Sequence, residues 1–133
     1  TKTKPKKVHH KDIIIGKNVI NNLSLKGITQ AAVVINGEVI ASENYKGTDY
    51  MLKKVTKKIK KSVIGERNGI LIKLPKPNQD MRTDIPTIGL KTVKSCISLG
   101  LKGIVLKSKR NIFLDVKKSI ILLNKNKMFL TVI

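Results

Sequence analysis

The sequence predicts an α/β domain: a mixed sheet of about five or six strands with about four helices, including a β-hairpin in the N-terminal half. Three observations predict it. Short apolar, β-rich runs alternate with longer segments whose apolar residues recur every three or four positions. Asn36-Gly37 sits between the runs AAVVI and EVIAS, and such a pair suits a type I′ turn because both central positions take positive φ. A length of 133 residues with 41% hydrophobic content suits one domain with a buried core.

In chain order, residues 1–11 (TKTKPKKVHHK) read as a basic linker or tail and residues 12–133 as a single α/β domain of catalytic type. His9 and His10 are adjacent and would face different ways on a helix, so two exposed linker histidines are expected rather than a metal site. A helix is expected over Asp12 to Leu25, with Ile13, Ile20 and Leu23 at helical spacing and Gly27 as its stop; Gly16 weakens it. The hairpin follows. GTD (47–49) then precedes YMLKKVTKKIKK, a helix that Thr48 or Asp49 can cap and whose apolar stripe is Met51, Leu52, Val55 and Ile59. GILIKL (69–74) reads as a buried strand. Residues 75–89 hold Pro75, Pro77 and Pro86 and read as an ordered loop. Residues 90–99 return to helical spacing through Leu90, Val93 and Ile97, and Gly100 ends them. GIVLK (103–107) and IFL (112–114) read as strands, Asp115 as the cap of a helix over 116–125, and MFLTVI (128–133) as a closing strand.

Composition narrows the function. The apolar fraction excludes a disordered basic tail. No stretch approaches the roughly 18 uninterrupted apolar residues of a membrane span, and one cysteine excludes an internal disulfide or a Cys-based zinc site. The balance of 28 basic against 8 acidic residues, a net charge of +20, points to an anionic partner: nucleic acid, an acidic membrane face or a phosphorylated substrate. Only 3 of the basic residues are arginines, Arg67, Arg82 and Arg110, and only 4 residues are aromatic. Base reading relies on Arg forks and single-strand binding on stacked aromatics, so both are poorly supplied. Most of the charge therefore reads as solvated lysine surface. The run Lys53, Lys54, Lys57, Lys58, Lys60 and Lys61 is a solvated helix face that would also suit an anionic membrane. Cys96 reads as a small core residue.

The chemistry-bearing residues cluster in the proline-stiffened loop after the GILIKL strand. Asp80 and Asp84 lie there with Lys73, Lys76 and Arg82 beside them, in a chain where acids are scarce. In open α/β sheets ligands bind outside the carboxyl ends of strands. A carboxylate there can hold Mg²⁺ through hard oxygens or orient and deprotonate a water, while Lys and Arg neutralise phosphate oxygens in the transition state. The Gly89–Thr92 stretch can open a helix whose free N–H groups favour an anion. On residue types alone, a surface ion-pair cluster is the stronger reading of Asp80-Met-Arg82-Thr-Asp84.

The order of GTDYML (47–52), KLPKPNQDMRTDIPTIG (73–89), KTVKSCISLGLKGIVL (91–106) and FLTVI (129–133) resembles the C-terminal domain of the LpxI-type UDP-2,3-diacylglucosamine pyrophosphatases of lipid A biosynthesis. The resemblance runs from about Asp12 to the C-terminus. It implies Mg²⁺-dependent hydrolysis of UDP-2,3-diacylglucosamine to UMP and 2,3-diacylglucosamine 1-phosphate (lipid X), by water attacking the β-phosphorus. It implies a cytoplasmic location, peripheral at the anionic inner face of the inner membrane, and a second, N-terminal family domain that this sequence lacks and that activity is expected to need. Carried onto matching positions, Asp84 and Asp80 become the catalytic carboxylates and, with Asp49, the metal ligands. Lys76, Gln79, Arg82, Thr48, Thr87 and Gly89 become the substrate and phosphate contacts. A basic nucleic-acid-binding domain and a non-catalytic assembly domain, the latter a homo-oligomer, stand as alternatives. One continuous basic stripe would favour nucleic acid; lysines spread over all faces with a mixed-charge cleft would favour the hydrolase.

Overall fold

The computed structural model describes residues 1–24, 30–59, 67–75, 87–107 and 112–133. In chain order these form α1 (Lys7–Ser24), β1 (Ala31–Ile35), β2 (Glu38–Ser42), α2 (Thr48–Ile59), β3 (Ile70–Lys73), β4 (Thr87–Ile88), α3 (Leu90–Ser98), β5 (Gly103–Leu106), β6 (Ile112–Phe113), α4 (Val116–Lys125) and β7 (Phe129–Val132).

Five strands make one mixed sheet in the order β2-β1-β3-β5-β7. β1 pairs antiparallel with both β2 and β3, and β3, β5 and β7 run parallel. The expected α/β class, the four helices and the hairpin are all present. β4 and β6 form a separate two-stranded parallel pair, which accounts for strands beyond the main sheet.

β1, β3 and β5 are buried along almost their whole length, as their unbroken apolar runs require. Alternate residues serve opposite faces. Ala31, Val33, Leu71 and Ile104 join a core with Met51, Leu52 and Val55 of α2, Val93 and Cys96 of α3 and Leu123 of α4. Ala32, Val34, Ile70, Ile72 and Val105 join a second core with Ile13 and Ile20 of α1. The domain is therefore three layers: α1, the sheet, and α2–α4. Each fully buried Ile or Leu contributes roughly 1.5–3 kcal/mol of transfer free energy.

The hairpin turn is built as expected, with Asn36 at φ 50° and Gly37 at φ 79°. The N-terminal helix differs from expectation. It begins at Lys7, inside the stretch read as a linker, and the residues ahead of it touch the sheet and α4. The Leu130 amide donates to Thr1 Oγ1 at 3.0 Å, and the Lys2 amide donates to Asn124 Oδ1 at 2.8 Å. His9 is buried, at 4% exposure, against the Phe129 ring 5.1 Å away, while His10 is exposed. Helical phase separates the two histidines, but the partner that buries His9 is far off in sequence. Gly16 is where α1 lies closest to the sheet: a Cβ there would stand 2.5 Å from Ile72 Cγ2, so the residue that weakened the helix prediction permits its docking.

Two expected caps also differ. Asp115 occupies the N-cap position of α4 but at φ 53°, ψ 43°, with no side-chain cap hydrogen bond. Thr48 lies inside α2, and its hydroxyl turns elsewhere, as does the Asp49 carboxylate. Among the described residues no helix is long and apolar enough to cross a membrane.

Candidate functional site

The antiparallel register of β1 against β3 sets Ala31 opposite Lys73, so the start of β1 lies beside the carboxyl end of β3. β2 returns to the same edge, where the Glu43 amide donates to the Ala31 carbonyl at 2.8 Å. The Leu74 amide donates to the Gln30 carbonyl, also at 2.8 Å, closing β3 onto the segment before β1. The carboxyl ends of the parallel strands thus gather Gln30, Glu43, Lys73 and the N-terminus of α2 at one rim.

Glu43 organises that rim. It is 9% exposed. Its Oε1 accepts from the Thr48 hydroxyl at 3.0 Å, and its Oε2 accepts from the Gln30 amide at 3.2 Å. A buried carboxylate is tolerable only with such donors. Asp49, the next residue along α2, is half-buried and faces α3: its Oδ1 accepts from the Thr92 hydroxyl at 2.9 Å. The first turns of α2 and α3 are therefore tied by an acid–hydroxyl bond, with α2 also tied to the end of β2. Lys73, nearly buried, donates its ammonium to the Thr87 carbonyl at 2.8 Å and joins β3 to β4.

Gly89 is the N-cap residue of α3, with extended backbone at φ −136° and no side-chain cap. Among the described residues a Cβ there would meet nothing nearer than Leu114 Cβ at 3.9 Å. Thr87 is exposed next to it. Burial pushes the Cys96 thiol far up, and the charge of Asp49 adds to the shift; this cysteine is a core residue and no nucleophile.

Of the residues singled out from sequence, Thr48, Asp49, Thr87 and Gly89 stand at this carboxyl-end rim. Lys76, Gln79, Asp80, Arg82 and Asp84 lie outside the described residues; their segment leaves from Pro75, after β3, and returns at Thr87, beside Lys73. Among the described residues no group of three or more His, Cys, Asp or Glu stands together as a metal site. Sequence reasoning passed over Glu43 and the side chain of Thr92. The available signal was scarcity: with 8 acids in the chain, one directly after a predicted strand and five residues before Thr48 is conspicuous.

The basic residues are spread widely. Exposed lysines stand on α1 (Lys7, Lys11, Lys17), α2 (Lys53, Lys54), α3 (Lys91, Lys94) and α4 (Lys117, Lys118, Lys125), which cover both faces of the sheet. That distribution is a charged surface rather than a single stripe along one face.

A family model for the LpxI C-terminal domain matches residues 1–131. The chain is 38% identical over 117 residues to the UDP-2,3-diacylglucosamine pyrophosphatase LpxI of Caulobacter vibrioides, an alignment covering 86% of this chain and 41% of that protein. The chain thus spans less than half the length of this curated relative.

Proposed function

The chain belongs to the LpxI C-terminal domain family, and on that premise we propose that it is the catalytic part of an enzyme that hydrolyses the pyrophosphate bond of UDP-2,3-diacylglucosamine, releasing UMP and 2,3-diacylglucosamine 1-phosphate. The observation that carries the reading is the family match across residues 1–131, joined by a relative that bears this activity in its name. The acid–hydroxyl rim at the strand ends supports it, because α/β domains place ligands there.

In this reading Asp84 and Asp80 bring the reacting carboxylates, Asp84 orienting and deprotonating the attacking water. Lys76 and Arg82 neutralise the diphosphate oxygens as charge develops, with Gln79, Thr87 and the Gly89 end of α3 as further donors. Glu43 is a positioning residue: through Thr48 it fixes the start of α2 and so the place of Asp49. Asp80, Asp84 and Asp49 would hold Mg²⁺. Their hard oxygens suit that ion, and Asp49 engages Thr92 through only one oxygen, Oδ1. An ion held by them would supply Lewis-acid polarisation of the diphosphate.

The reaction takes place at the cytoplasmic face of the inner membrane, with the family's N-terminal domain completing the cleft. Lys53, Lys91 and Lys94 line a groove of about 410 Å³ between α2 and α3 and support contact with an anionic surface. The test uses the two-domain protein. Asp84→Ala lowers UMP release by about 10²–10⁴-fold with unchanged circular dichroism, and EDTA abolishes release in the wild type until Mg²⁺ is returned. Full activity of Asp84→Ala, or activity indifferent to EDTA, overturns the corresponding assignment.

A further inference from the structure

The opposite end of the sheet carries a second polar site. At the amino ends of β3, β5 and β7 a cavity of about 650 Å³ opens between the Asn36 turn and the start of α1. Lys6, Arg67, Lys102 and Lys127 line it, and among the described residues no acidic side chain does.

Two of these cations are held by neutral acceptors. Lys102 Nζ donates to the Lys127 carbonyl at 2.7 Å. Arg67 donates to the Ile97 carbonyl at 2.8 Å and to Asn126 Oδ1 at 3.0 Å. Such bonds order the side chains without cancelling their charge. The nearby acid, Asp12, is fully buried and spends Oδ1 on the Gly37 amide at 2.7 Å.

An independent observation comes from His9. It lines the cavity although only 4% exposed. Its Nδ1 accepts from the Lys6 amide at 2.8 Å, which leaves the ring proton on Nε2 in the neutral form. No described residue accepts from that Nε2–H. Asn68 donates to Asn36 Oδ1 at 2.7 Å, so the amide NH₂ of Asn36 is a further donor at the rim. Apart from Val8, the cavity is therefore lined by cations and polar side chains that can donate, and its volume falls within the roughly 300–1,000 Å³ of small-molecule sites.

We infer that this amino-end cleft binds a soluble oligophosphate, with the ammonium groups of Lys6, Lys102 and Lys127 and the His9 Nε2–H on its oxygens. The site stands apart from the carboxyl-end rim and does not rest on the hydrolase reading.

The test is titration of this chain, ¹⁵N-labelled, with sodium pyrophosphate and with tripolyphosphate, followed by amide chemical shifts. Saturable shifts centre on His9, Asn36, Asn68, Lys102 and Lys127, and tripolyphosphate binds more tightly. Joint replacement Lys6→Gln, Lys102→Gln and Lys127→Gln weakens pyrophosphate binding by about tenfold or more. The charge-matched triple Lys54→Gln, Lys117→Gln and Lys118→Gln, on the exposed faces of α2 and α4, changes it by less than about threefold. Equal weakening by both triples would reduce the effect to net charge and overturn the proposal. So would wild-type shifts centred on Thr48 and Thr92, or no saturation by about 10 mM pyrophosphate. The shift map uses the unsubstituted chain, so it decides the matter even if a triple variant fails to fold.

Discussion

At the carboxyl ends of the parallel strands charge is paired with a donor or acceptor of its own: Glu43 with Thr48 and the Gln30 amide, Asp49 with Thr92, Lys73 with the Thr87 carbonyl. At the amino ends the lining is cations, asparagines and one buried histidine. The same sheet holds both, and the difference shows what the net charge of +20 conceals. Spread over the helices, lysine is surface; gathered at one strand end, where no described acid joins the lining, it is a potential of one sign in a concave site. The carboxyl rim instead fixes a few acids in place through named donors.

The comparison breaks most visibly at Glu43. Glu43→Ala leaves the Thr48 hydroxyl and the Gln30 amide without their acceptor in a nearly buried place. We expect a loss of about 3 kcal/mol in urea unfolding, with Glu43→Gln, which keeps one acceptor, losing less. A loss below about 0.5 kcal/mol would class the rim with ordinary surface. At the other end, Gly103→Ala drives a methyl into the Phe129 ring. That substitution should lose about 1–3 kcal/mol and displace His9, which rests on the same ring. Its His9 ring resonances should move while the Thr48 and Thr92 amides stay put. Movement of both sets would mean that the two ends are not independent. Smaller again is Thr92→Val, which removes the hydroxyl that reaches Asp49. It should lose about 1 kcal/mol, recovered by Thr92→Ser but not by Thr92→Ala; equal stability of all three would remove the α2–α3 tie from the account.

These residues also mark what could be read before the fold was known. The hairpin was legible because Asn36-Gly37 is a local instruction, and β3 and β5 because strands covered on both faces need unbroken apolar runs. Thr48, Asp49, Thr87 and Gly89 were singled out through the family motifs that contain them, and they stand at the carboxyl-end rim. Glu43 was not. After a strand ending in Ala-Ser an acid reads as solvated; it is the hairpin register, Ala32 opposite Ser42, that brings Gln30 to it, and the start of α2 that brings Thr48. His9 failed for the same reason at greater range, since Phe129 is 120 positions on. Local pattern reports which faces of an element are apolar; it does not report which polar group a distant element will cover.

His9 also supplies the finest distinction between the two ends. Burial pushes its imidazole below the ordinary value of 6.5; Asp12 opposes the shift, while Lys102, Lys6 and His10 add to it. In the unfolded chain the ring takes its proton near 6.5, whereas the folded chain resists until lower pH. Below that ordinary value the unfolded state therefore binds more protons, and stability falls as pH drops from 6.5 through the lowered folded value, then levels off with respect to this group. Urea midpoints at about pH 7.5 and about pH 5.5 should differ more for the wild type than for His9→Gln, which cannot take the proton. Carboxylates elsewhere titrate in both proteins and cancel in that comparison. If the two proteins respond to acid alike, His9 is not held neutral by its surroundings, and the amino-end cleft loses the oriented Nε2–H donor that sets it apart from the rest of the lysine surface.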